Sequence, residues 1–156
     1  MSCRLGLRAG EVAALALDDV DWRAGQITVH GKGSRIDVLP LPGDVGEAIA
    51  GYLQHGRPAT MGRNVFLRSI APIGPLGRGG ISLTVRRACR RAKIPEIGAH
   101  RLRHTTACQM VAAGVPLAQI GQVLRHRSPA STVIYARVDG EALRGLAGPW
   151  PIGGPW

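Results

Sequence analysis

Six residues of the types that can cleave a phosphodiester are dispersed along this chain. Two arginines could hold a phosphate, two histidines and a lysine could transfer protons, and a tyrosine could attack phosphorus. These residues are Arg8, Lys32, His100, Arg103, His126 and Tyr135. Such a set predicts covalent chemistry on DNA. Because arginines would stabilise the charge that develops on the phosphate, the reaction needs neither a metal ion nor a cofactor.

The spacing of these residues matters more than any one of them. His100 and Arg103 are three residues apart, so both can face one ligand from the first turn of a helix, where backbone N–H groups favour an anion. Singly, each has an ordinary interpretation: His100 as a helix cap, Arg103 as a solvated charge and Tyr135 as a half-buried packing residue. Lys32 would be a solvated turn tip and His126 a loop or helix-end cation. Their joint occurrence favours the chemical interpretation.

The charge of the chain favours a polyanionic partner. The formal net charge is +10 over 156 residues, and hydrophobic residues make up 45% of the chain, which is enough for a folded core. All basic residues except Lys32 and Lys93 are arginines. Selection for phosphate binding and a GC-rich genome would both produce this bias. The partner that we predict is double-stranded DNA.

The cysteines and the apolar runs indicate the compartment. Cys3, Cys89 and Cys108 form no C-x-x-C pair, and their odd number argues against a disulfide framework. No apolar run reaches the length of a membrane span, and no signal peptide opens the chain. These features predict a cytoplasmic protein with no membrane partner, and the expected DNA partner would associate it with the bacterial nucleoid. The chain enters the motif around Arg8 almost at once, so we expect that an N-terminal part is missing.

Hydrophobic periodicity predicts a mainly α fold with a small antiparallel β-sheet, an α+β class. Asp44 and Glu47 resemble a capping box, and Asp18–Trp22 would be a polar exit from the first helix. Between the expected strands, a turn with two glycines would complete a hairpin. We expect helices at 9–17, 45–55, 81–92, 100–113 and 116–125, helical pieces at 129–147, strands at 26–30 and 35–39, a long loop at 57–80 and a Pro/Gly-rich tail at 148–156.

The predicted helix at 81–92 has a strongly basic face, which we expect to lie along DNA phosphates. A solvated face on a core helix is the alternative. Arg125 and Arg127, on either side of His126, are further candidates for DNA contact. The arginines of the basic face, placed together by their i, i+4 spacing, are Arg86, Arg87, Arg90 and Arg91. The residues expected on the opposite, buried face are Ile81, Val85, Ala88, Cys89 and Ala92.

Over residues 4–147 the chain resembles the catalytic domain of tyrosine recombinases, the phage-integrase or Xer-type family. The resemblance implies that residues 1–147 are such a domain, without the family's N-terminal DNA-clamping domain. The chain departs from the family pattern at Arg125, where glycine is usual. The motifs that carry the resemblance are Gly6-Leu7-Arg8 with Glu11, Gly31-Lys32-Gly33, the H-x-x-R box of His100 and Arg103, His126 in Leu124-Arg125-His126, and Tyr135 after Ile134.

The resemblance also implies a role for each residue and a function. The full-length protein would cut and rejoin DNA through a 3′-phosphotyrosyl intermediate, within a synaptic tetramer. Two other functions stay open: a truncated remnant that only binds DNA, and a type IB topoisomerase-like relaxation that needs no partner protomer. The implied roles are phosphate clamps for Arg8 and Arg103, a phosphate hydrogen bond for His126, general base or proton shuttle for His100, general acid for Lys32 and nucleophile for Tyr135.

Overall fold

The computed structural model describes residues 1, 4–31 and 33–125. Helices dominate this part, and its strands form one antiparallel sheet in the order β1-β2-β3. The predicted α+β class is therefore confirmed. The predictions for 129–147 and 148–156 lie outside the described residues. In chain order the elements are α1 (Ala9–Ala14), a 3₁₀ turn (Leu17–Asp19), β1 (Val20–Asp21), β2 (Gln26–His30), β3 (Ile36–Pro40), α2 (Gly43–His55), α3 (Arg78–Arg91), α4 (Ala99–Ala112) and α5 (Leu117–Val123).

The chain divides into two compact units, Met1–His104 and Thr105–Trp156, and the boundary falls inside α4. A hydrophobic cluster fills the first unit and takes residues from the sheet, α1, α2, α3 and the first turn of α4. In the described part of the second unit, Ala107, Ile120 and Leu124 form a separate cluster. Each unit thus has its own apolar core. Among the described residues, no helix is both long and apolar enough to cross a membrane.

The β2–β3 hairpin forms where it was predicted. In β2, Ile27 and Val29 are buried in the core, while Gln26 and His30 are exposed. Gly33 has a φ of 80°, the left-handed region that glycine adopts at no steric cost, and it lies in the turn between the strands. Alternation of period two was therefore a sound guide to the hairpin.

The strand β1 was not predicted. The segment 18–22, expected to be a polar exit from a helix, instead completes the 3₁₀ turn and pairs with β2, with Val20 opposite Ile27. The charged residues of this segment interrupt the hydrophobic alternation that would indicate a strand. Val20 is nevertheless buried, because the pairing brings it against the core.

Several boundaries also differ from the predictions. Helix α1 ends at Ala14, and α2 begins at Gly43 after Pro42 with no side-chain cap, so the predicted capping box is wrong. Asp44 instead pairs with Arg4, 3.0 Å from Nε to Oδ2. The region 57–80 is not simply a loop, since its residues form the antiparallel bridges Ala16 to Asn64 and Leu67 to Pro75. Such bridges depend on distant partners and have no local signal.

Two isoleucines of the hairpin test how much its buried face stabilises the fold. Ile27 is fully buried and Ile36 is 61% exposed. We expect Ile27→Ala to lower the free energy of unfolding by about 2–5 kcal/mol, because it leaves a cavity in the core. The matched control Ile36→Ala should stay within about 0.5 kcal/mol of the parent. Urea unfolding followed by circular dichroism measures both, and equal losses would contradict the burial pattern.

Candidate active site

Arg8 lies at the start of α1, where its backbone and its side chain are held by one carboxylate. The Arg8 backbone N–H donates to Glu11 Oε2 at 2.8 Å, and Arg8 Nη1 donates to Glu11 Oε1 at 2.6 Å. The Glu11 side chain is only 6% exposed, whereas that of Arg8 is 43% exposed. A buried carboxylate needs such donors, so Glu11 fixes Arg8 while part of the guanidinium faces outward.

Arg103, in the first turns of α4, is almost entirely buried at 3% exposure. Its Nη1 donates to the backbone carbonyl of Gly6, which lies 97 residues away in the chain and two residues before Arg8. Gly6 has a φ of 59°, and its neighbours Leu5 and Leu7 are both buried. Gly6 therefore adopts a left-handed backbone conformation, which glycine tolerates. This conformation occurs between two core residues, at the point where the chain contacts Arg103.

His100 and Arg103 occupy the same helix, as predicted, but in different environments. His100 follows the buried Ala99 at the start of α4 and is exposed, while Arg103 is buried one turn later. Arg103 is therefore not a solvated surface charge. The structure brings Arg103 to the segment that leads into Arg8, and it leaves the His100 ring accessible near the start of the same helix.

The other predicted site residues divide into two groups. Arg125 is described: it lies at the end of α5 in the second unit, with a φ of 53° and 6% exposure. The roles predicted for the remaining residues stay predictions. Those that lie outside the described residues are Lys32, His126, Arg127 and Tyr135.

Helix α3 carries the predicted basic face and packs against α1. All four predicted arginines of this face are exposed. Ile81 and Cys89 are buried and Val85 is half-buried, as the predicted opposite face requires. The predicted burial of two alanines on that face is wrong, because the apolar stripe is narrower than the sequence pattern indicated. The exposed alanines are Ala88 and Ala92.

An acidic residue lies against this basic face. Arg90 Nε donates to Glu96 Oε1 at 2.8 Å. This hydrogen bond from Arg90 lowers the pKa of the Glu96 carboxyl, and the attraction of the Arg86 charge lowers it further. Glu96 is therefore ionised at neutral pH and neutralises part of the basic face. Arg90 has a raised pKa from the same contact.

Two supporting carboxylates were not assigned roles from the sequence. Glu11 belongs to the motif around Arg8, and its position three residues after Arg8, the residue that precedes α1, could have indicated that it holds Arg8. Glu96 lies in a short link between α3 and α4 and carries no comparable local signal. Its contact with Arg90, six residues earlier, depends on how the chain turns after α3.

The family model described as "Phage integrase family" matches residues 2–141. A Sinorhizobium fredii protein named as an integrase/recombinase, y4rA, is 53% identical to 95% of this chain. The tyrosine recombinase XerC of Mycobacterium leprae is 34% identical over 89% of it. A solved structure of the XerH site-specific recombinase, bound to a palindromic difH substrate after cleavage, superposes on 96% of this chain with a TM-score of 0.75 and 22% identity.

The fold is thus that of a tyrosine recombinase catalytic domain. This chain belongs to the phage integrase family. It spans 37% of the length of y4rA, 48% of that XerC and 43% of the XerH chain. The family predicted from the dispersed motifs is confirmed.

Arg103→Lys tests the buried contact with Gly6. Lysine places an ammonium, more strongly hydrated than a guanidinium, in the same buried position and cannot reproduce its planar fork. We expect the free energy of unfolding to fall by about 1–3 kcal/mol. Arg101→Lys, at an exposed position of the same helix, is the matched control and should stay within about 0.5 kcal/mol of the parent. If Arg103→Lys matched this control in urea unfolding, the contact would not be structural.

Proposed function

We propose that this chain is the catalytic domain of a site-specific DNA recombinase that breaks and rejoins strands through a 3′-phosphotyrosyl intermediate. One observation carries the proposal: the segment leading into Arg8 is held by Arg103 across 97 residues of sequence. These are the two arginines whose motifs resemble the family's phosphate clamps. If Arg8 and Arg103 were only structural cations, their two motifs would not need to meet at one contact. The net charge of +10 agrees with a DNA substrate.

The proposed reaction exchanges one phosphodiester for another. The Tyr135 phenol oxygen attacks phosphorus and forms a P–O bond, while the bond from phosphorus to the 5′-oxygen breaks. His100 accepts the phenol proton directly or through a shuttle, and Lys32 gives a proton to the leaving 5′-oxygen. Attack by the freed 5′-hydroxyl of another strand reverses these transfers and rejoins the DNA. Energy in the phosphodiester is thus conserved.

The arginines would supply most of the stabilisation of the transition state. Negative charge builds up on the non-bridging oxygens as phosphorus gains its fifth ligand, and donors that are already in place stabilise it without reorganisation. Glu11 holds Arg8 by two hydrogen bonds, so this donor is oriented before DNA arrives. His126 would add a hydrogen bond to the same phosphate.

DNA is the partner that the comparisons favour. Proteins of this fold have been solved with DNA, among them the integrase of transposon Tn1549 in complex with circular intermediate DNA. We propose that α3 lies along the phosphate backbone through Arg86, Arg87 and Arg91, and through Arg90 once it leaves Glu96. Such contacts position a protein but read no base sequence. In the full-length protein, two pairs of protomers would form a synaptic tetramer.

Two other functions remain candidates. The first is a remnant that binds DNA without cleaving it, which would need only the positive charge of the chain and the exposed arginines of α3. A relaxing activity like that of type IB topoisomerases would use the same covalent step but no partner protomer. Trapping the covalent intermediate separates the first alternative from the proposal, and relaxation of supercoiled DNA at limiting protein concentration tests the second.

Tyr135→Phe tests the nucleophile. The substitution removes the attacking oxygen alone, so we expect the covalent adduct with a nicked suicide substrate to disappear while DNA binding is nearly unchanged. Tyr52→Phe is the matched control: the Tyr52 hydroxyl accepts the Leu67 backbone N–H at 3.2 Å and belongs to the first unit's packing. Denaturing gel electrophoresis of labelled DNA measures the adduct in each variant.

Three outcomes of this assay are informative. Loss of the adduct in Tyr135→Phe alone would support the assignment. An adduct that persists in Tyr135→Phe would refute it. A parent chain that binds the substrate but forms no adduct would favour the DNA-binding remnant.

Glu96→Gln tests whether α3 meets DNA. The glutamine removes the negative charge that holds Arg90, so Arg90 can neutralise one more phosphate. We expect tighter binding, and the slope of log K against log salt should steepen by up to about 0.9. Glu47→Gln changes the net charge equally at an exposed position of α2 and is the matched control. Equal slopes for both variants in a fluorescence-anisotropy titration would place α3 away from DNA.

A further inference from the structure

A histidine outside the six motif residues ends the strand that leads into the hairpin turn. His30 closes β2, and its Nε2 lies 2.8 Å from Asp19 Oδ1. The second oxygen of the same carboxylate, Asp19 Oδ2, accepts the Ala16 backbone N–H at 2.8 Å. One carboxylate therefore links the end of β2 to the segment that follows α1. The Asp19 side chain is 11% exposed and that of His30 is 50% exposed.

The contact fixes the direction in which the chain enters its turn. Immediately after His30, the Gly31 backbone N–H donates to the Arg35 carbonyl at 2.7 Å, and Gly33 and Ser34 follow with φ values of 80° and 58°. Ile36 lies opposite His30 in the sheet register, and its aliphatic side chain cannot replace Asp19 as a hydrogen-bond partner. The His30–Asp19 contact and the Gly31–Arg35 bond thus define the base of the turn.

Thermodynamic stability is a poor explanation for this pair. A partly exposed ion pair or hydrogen bond of this kind contributes little to the stability of a fold. Orientation of the chain is a better explanation for the His30–Asp19 pair, because the pair joins two segments that each continue to a residue with a proposed role. Towards the N-terminus the chain leads back through α1 to Arg8, and two residues beyond His30 comes Lys32.

We propose that His30, held by Asp19, is a positioning residue for the proton transfer to the leaving 5′-oxygen. This inference rests on the proposed function, in which Lys32 supplies that proton. A lysine has four rotatable side-chain bonds, so the direction of the backbone from which it extends decides which oxygen it reaches. His30 touches neither the DNA nor the reacting atoms in this scheme. It acts by holding the end of β2, from which the turn begins.

The test compares two suicide substrates in single-turnover cleavage, one with the normal 5′-oxygen and one with a bridging sulfur there. A thiolate leaves without being protonated, so the sulfur substrate is insensitive to a misplaced acid. We expect His30→Ala to slow cleavage of the oxygen substrate by about tenfold or more. On the sulfur substrate its rate should approach that of the parent chain.

Two further variants make the result specific. His30→Gln keeps an N–H donor near the position of Nε2, so it should recover much of the rate on the oxygen substrate. Thr28→Ala, two residues earlier on the same face of β2, is the matched control and should cleave both substrates like the parent chain.

The outcomes separate this inference from the function on which it rests. Equal defects of His30→Ala on both substrates, or no defect on either, would overturn the positioning role while leaving the recombinase proposal in place. Failure of His30→Gln to recover would also count against it, since the hydrogen bond is the proposed cause. A parent chain that cleaves neither substrate would overturn the proposed function and this inference together.

Discussion

The first unit depends on one buried contact, the hydrogen bond from the Arg103 guanidinium to the Gly6 carbonyl. A guanidinium cannot lose its proton at any ordinary pH, so burying it is tolerable only where acceptors replace water. The bond therefore requires the start of α4 to pack against the segment before α1, although the two are distant in sequence. Leu5 and Leu7 on either side of Gly6 are buried in the core and hold that segment from its other side.

The environment of Arg8 follows from this constraint. Once the segment is fixed, α1 begins at Ala9. Glu11, in the first turn of this helix, then accepts hydrogen bonds from both the backbone N–H and the guanidinium of Arg8. Arg8 and Arg103 are consequently two cations with opposite exposure: one held at the surface by a buried carboxylate, the other buried against a carbonyl. Both guanidiniums are therefore held in fixed positions, which is the condition that the proposed phosphate clamps would need for electrostatic catalysis.

The remaining elements extend the same framework. Helix α3 packs on α1 and exposes its arginines, while Glu96 lowers the positive charge of that face where it leads towards α4. After α1 in the chain, Asp19 joins the 3₁₀ turn to the end of β2. Arg8, the basic face of α3 and the His30–Asp19 pair thus belong to segments that contact or flank α1, the short helix that Arg8 immediately precedes. This arrangement explains how a short helix can organise residues drawn from much of the first unit.

The sequence by itself determined the family, the α+β class, the hairpin and the approximate position of most helices, because motif spacing and hydrophobic period are local properties of the chain. It also led to the prediction, which stays a prediction, that Arg8, His100 and Arg103 act together. Only the tertiary structure decided that Arg103 is buried, that Val20 begins a third strand, that region 57–80 pairs with distant residues, and that Ala88 and Ala92 face outward. Each of these features depends on a partner that is distant in sequence or on how wide a helix face the core can cover. Neither can be inferred from a local sequence pattern.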